Sequence, residues 1–104
     1  MLRVKGWTKF QHYKDRRPPW IKLSRELLEN FDWYRLQNDS KALAVTIWLL
    51  AAENDDPKAG TIPDDPEWLG FRARMPAKTV IECVKDLVKY GFLEHVQNDD
   101  SDLL

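Results

Sequence analysis

The chain opens on an alternation. In Leu2-Arg3-Val4-Lys5-Gly6-Trp7 apolar and polar residues take turns, the period-two pattern of a half-buried strand. Further on the period changes. Lys41 to Glu53 is apolar on nearly every face, which predicts a central helix surrounded by other elements, with Asn38, Asp39 and Ser40 as its candidate N-cap side chains. Asn54-Asp55-Asp56-Pro57 ends it. Val80, Val84, Leu87 and Val88 fall at i, i+4, i+7 and i+8, one buried face of an amphipathic helix beginning at Pro76. Tyr90-Gly91 stops that helix, glycine suiting the left-handed position after a helix end.

Shorter elements fill the gaps. Ser24 caps a short helix through Leu27 and Leu28 to about Asn30, and Ile21 to Leu23 reads as a short strand. Gly60-Thr61-Ile62 allows a scrap of strand. Asp65 caps a helix from Pro66 to about Arg74, with proline at its first position and Trp68, Leu69 and Phe71 turned inward. Phe92 to Val96 is strand-like, Gln97 to Asp102 turn-like, and Leu103-Leu104 a returning strand.

From residue 38 onward the order is long helix, strand, short helix, tight turn, amphipathic helix, hairpin. That order predicts an α+β, mostly helical fold: a winged helix-turn-helix core over 38–104, carrying a basic, aromatic N-terminal strand and arm over 1–37. At 104 residues the whole is expected to be one domain.

Composition narrows the function classes. With 43 % hydrophobic residues and five tryptophans the chain can bury a core. No apolar run approaches the roughly 20 residues of a membrane span, and Met1 to Lys5 lacks the apolar stretch of a signal peptide. A single cysteine, Cys83, precludes an internal disulfide and points to a reducing cytoplasm, with the thiol expected to be semi-buried and structural. Two histidines and one cysteine supply neither metal-ligand spacing nor a nucleophile–base pair. The carboxylates sit in capping and turn positions, and four glycines form no phosphate loop. The expectation is a protein that is not an enzyme, with no catalytic residues, no cofactor and no metal.

The formal net charge of −1 hides an asymmetry. Residues 1–25 hold eight Lys and Arg against one acid, while the remainder holds eight against sixteen. This polarity fits either a polyanion-facing end or two parts of the chain attracting each other. Lys5, Trp7, Lys9, Phe10, His12, Tyr13, Lys14, Arg16, Arg17 and Trp20 form a basic-aromatic constellation. Its cations suit phosphates, and its rings suit either base stacking or the core; Trp7, Phe10 and Trp20 are expected in the core and Arg16 and Arg17 in solvent. A second constellation surrounds the last helix, where Lys78, Glu82, Lys85 and Lys89 share the outward face, and Arg72, Arg74, Lys78 and Thr79 stand at its entrance. The candidate DNA-binding residues are therefore Arg16, Arg17, Arg72, Arg74, Lys78, Thr79 and Lys85. The same stripe also fits an ordinary solvated helix face. Asn98, Asp99, Asp100 and Asp102 make the tip of the expected wing acidic, which suits protein contact better than phosphate contact.

The run Val4 to Arg16 with Pro19-Trp20-Ile21-Lys22-Leu23, then Ser40-Lys41-Ala42 leading to Ile47-Trp48-Leu49-Leu50, and Ile62 to Leu69, resembles the N-terminal winged-helix domain of bacteriophage replisome-organiser or replication-initiation proteins. The similarity covers residues 2 to about 93. It implies binding of origin or single-stranded DNA in the host cell cytoplasm, and recruitment of replication proteins through a following C-terminal region. A winged helix that docks a replication partner without touching DNA is the rival reading. The apolar helix 41–53 is compatible with a homo-oligomer under either.

Overall fold

A computed structural model describes residues 1–11, 19–54 and 59–97. The order is β1 (Leu2–Val4), α1 (Trp7–Phe10), a 3-10 helix (Arg25–Glu29), α2 (Phe31–Arg35), α3 (Asn38–Ala52), β2 (Thr61–Ile62), α4 (Pro66–Ala73), α5 (Ala77–Lys89) and β3 (Leu93–His95). The protein is thus α+β and mostly helical, with one small antiparallel sheet. No helix among the described residues is long and apolar enough to cross a membrane.

The sheet runs β2-β1-β3, so the N-terminal strand lies in its middle. Leu2 pairs with Ile62 on one side and His95 on the other, and Val4 pairs with Leu93. Alternation then sorts the side chains: Leu2 and Val4 are buried, while Arg3 faces solvent and holds Glu94 at 2.9 Å. The first residues are therefore part of the core. Trp7 and Leu36 are buried with them, so the 1–37 segment supplies hydrophobic contacts that the rest of the chain would otherwise lack.

Helices α3, α4 and α5 pack on one another beside the sheet. The buried face of α5 is Val80, Cys83, Val84 and Leu87, the phase its periodicity predicts, with Cys83 fully inside the core rather than flanking it. Burial also pushes the Cys83 thiol up from its usual range. The end of α5 is a Schellman motif: Phe92 N–H donates to Leu87 O at 2.9 Å, Gly91 N–H to Val88 O at 3.1 Å, and Gly91 has φ +83°.

Several local expectations are corrected. Ile21 to Leu23 is not a strand. Residues 31–35, for which the pattern predicts no element, form α2. Asn30 starts that helix by accepting from Trp33 N–H at 2.9 Å, whereas Ser24 caps the preceding 3-10 turn as expected. No side chain at residues 38–40 caps α3. Its N-cap is Gln37, whose N–H donates to Asp86 Oδ2 on α5 at 3.2 Å, while the buried Ser40 hydroxyl donates to the same oxygen at 2.7 Å. Asp86 does across two helices what the N3 carboxylate of a capping box does within one. Finally, Phe71 and Trp20 do not enter the core; they are 70 % and 55 % exposed.

Candidate nucleic-acid-binding face

Asp65 starts α4 by accepting from Glu67 and Trp68 N–H, with Pro66 at the first helical position. Leu69 and Gly70 face inward and Trp68 is half-buried. At the other end the chain turns through Arg74, which adopts φ +61°, and both Arg74 and Met75 N–H donate to Gly70 O. The turn folds so closely onto α4 that a Cβ at position 70 would stand 2.5 Å from Met75 O. Only glycine fits there. After Pro76 the chain enters α5, so α4 and α5 are joined through residues 74–76.

With Val80, Val84 and Leu87 anchored, the phase of α5 is fixed. Lys78, Glu82, Lys85 and Lys89 are all exposed on its outward side, and Thr79 is half-buried in its first turn. Neither Lys78 nor Lys85 makes an ion pair among the described residues, and Lys89 lies over the Tyr90 ring at 5.2 Å. Three ammonium groups against one carboxylate leave this face positive. Ile81, 44 % exposed, adds one apolar side chain to it.

The arginines are placed differently from the lysines. Arg72 donates to Glu53 Oε2 at 2.8 Å and lies 5.7 Å from the Trp68 ring centroid; the hydrogen bond to Glu53 raises its pKa further above the ordinary value. A phosphate would have to compete with Glu53 for it. Arg74 is exposed at the turn, its guanidinium 5.8 Å from the Phe71 ring centroid. The turn and α5 thus bring Arg74, Lys78, Thr79 and Lys85 together, with Arg72 held aside. Arg16, Arg17 and His12, together with the acidic segment 98–102 and Leu103-Leu104, lie outside the described residues, as does the Phe10 side chain.

Among the described residues no group of three His, Cys, Asp or Glu side chains could hold a metal ion. His95 Nδ1, at the end of β3, stands 3.4 Å from Asp64 Oδ2, just after β2, and both side chains are exposed. No protein family, curated protein or solved structure matches the chain.

Proposed function

We propose that the chain is a DNA-binding module of winged helix-turn-helix type, acting in phage or prophage replication, with α5 offered to the major groove. The observation that carries this reading is the outward face of α5, where Lys78 and Lys85 stand exposed and unpaired among the described residues on a helix fixed by its buried face. The three-residue turn from α4, and α3 packed against both helices, support the helix-turn-helix assignment. Arg74 at the turn and Thr79 in the first turn of α5 complete the contact set, and Arg16 and Arg17 extend it if the N-terminal segment reaches the backbone. In this reading the protein works by binding alone, in the host cytoplasm, and hands DNA to replication proteins.

Each phosphate neutralised adds about 0.9 to the salt slope on duplex DNA, so Arg74, Lys78 and Lys85 together set a slope of about −2.7. Anisotropy of labelled duplex and single-stranded DNA, titrated across salt concentrations, tests it. Affinity should fall log-linearly with salt and drop in Lys78→Glu.

A second reading, docking of a protein partner without DNA, is favoured by Leu28, Phe31 and Tyr34, which are 85 %, 74 % and 76 % exposed on neighbouring turns. Absence of any DNA binding at low salt would select it.

A further inference from the structure

A groove of about 380 Å³ has neither Lys78 nor Lys85 among its described lining residues. Among the described residues its walls come from four separate stretches of chain: Val4 to Gln11, the 22–30 segment, Trp48 of α3, and Phe92 after α5. The floor and walls are apolar and aromatic, with Trp7, Trp48, Phe92, Leu23 and Leu27 contributing. They are also held in place. Trp48 stacks on Trp33 with centroids 5.6 Å apart, and Trp33 meets Phe92 edge-on at 5.7 Å. The Gln11 amide donates to Lys22 O at 2.7 Å and accepts from Lys22 N–H at 3.0 Å, fixing the 22–30 segment against the end of α1.

The polar lining is mostly committed to this scaffold. Ser24 accepts from Glu26 N–H and Asn30 from Trp33 N–H. What remains among the described lining residues are three ionic groups, the Lys5 and Lys22 ammoniums and the Glu26 carboxylate, none of them in an ion pair with another described residue. Among the described lining residues, two exposed cations stand against one exposed anion beside a mostly apolar wall. The volume sits at the lower end of the range typical of small-ligand sites, about 300–1,000 Å³.

We propose that this groove binds a small organic anion: a planar apolar ring system carrying one carboxylate, sulfonate or phosphate. The ring lies against Trp48 and Phe92, and the anionic group is taken by Lys5 and Lys22 in charge-assisted hydrogen bonds. The proposal is independent of DNA binding by α5.

The test is an amide and indole NMR titration of the full chain with 2-naphthoate, alongside the neutral isostere 2-naphthalenemethanol. Saturable shifts at the Trp48 indole, Phe92 and Leu27 are expected, with affinity roughly tenfold lower in Lys22→Glu and in Lys5→Glu, unchanged in Lys78→Glu, and roughly tenfold lower for the neutral isostere. Absence of saturable shifts, or equal affinity for the neutral isostere, would overturn it. So would naphthoate binding that emerges only when residues 12–18 are replaced by a Gly-Ser linker, because the chain itself would then be the occupant. Displacement of naphthoate by a short oligothymidylate would also overturn it, by making the groove part of a nucleic-acid surface.

Discussion

Removing the Asp86 carboxylate should cost far more than its position on a half-exposed helix suggests. One oxygen accepts both the Gln37 N–H at the start of α3, at 3.2 Å, and the buried Ser40 hydroxyl, at 2.7 Å. A hydrogen bond to a charged acceptor contributes about 1.5–3 kcal/mol, and loss of an N-cap interaction costs about 1 kcal/mol. Asp86 is only half-buried, so the lower ends apply, and Asp86→Ala should destabilise the domain by about 2–3 kcal/mol. In a domain of this size that lowers Tm by roughly 10 °C or more. Urea unfolding followed by circular dichroism measures it. Ser40→Ala removes only the hydroxyl and should cost about 1 kcal/mol, and because both residues share one bond the double variant should fall short of additivity by at least about 0.5 kcal/mol. Additive effects, or a loss below about 0.5 kcal/mol in Asp86→Ala, would refute the cross-helix cap.

Because β1 is the middle strand, Leu2→Ala should cost about 2–4 kcal/mol, and deleting residues 1–5 should abolish cooperative unfolding in thermal melts. Two glycine replacements should differ in kind: Gly91→Ala meets no neighbour and loses about 1 kcal/mol to its left-handed backbone, whereas Gly70→Ala drives a Cβ into Met75 O and should cost roughly 2–3 kcal/mol in urea titrations. The buried Cys83 thiol, raised by desolvation, should react with a disulfide reagent at least about 100-fold more slowly in buffer than in denaturant; equal rates would mean that α5 does not seal it.

The parts legible in the sequence are those fixed by neighbours a few residues apart. Asp65-Pro66 and Tyr90-Gly91 bound their helices because caps and left-handed ends are local chemistry, and Val80, Val84 and Leu87 set the phase that turns Lys78 and Lys85 outward. Long-range partners were not legible. Alternation in Leu2-Arg3-Val4 signals a strand without saying that it divides the sheet. The run Asn38-Asp39-Ser40 offers three local caps, yet the one used comes from Asp86, 49 residues from Gln37. Asn30 reads equally well as the end of one turn and the start of the next, and here it starts α2. Arg72 looks like a free cation until Glu53, 19 residues away, is found beside it. The groove escaped for the same reason, since residues 4–11, 22–30, 48 and 92 share no spacing.

The central claim, that the outward face of α5 holds DNA, is tested most directly by anisotropy of labelled duplex DNA with the wild-type chain, Lys78→Glu and Lys85→Glu across a salt series. Log affinity should fall linearly with log salt, and each variant should weaken binding roughly tenfold or more while flattening the slope by about one unit per lost contact. Binding that is insensitive to both variants, or absent at low salt, would contradict the claim.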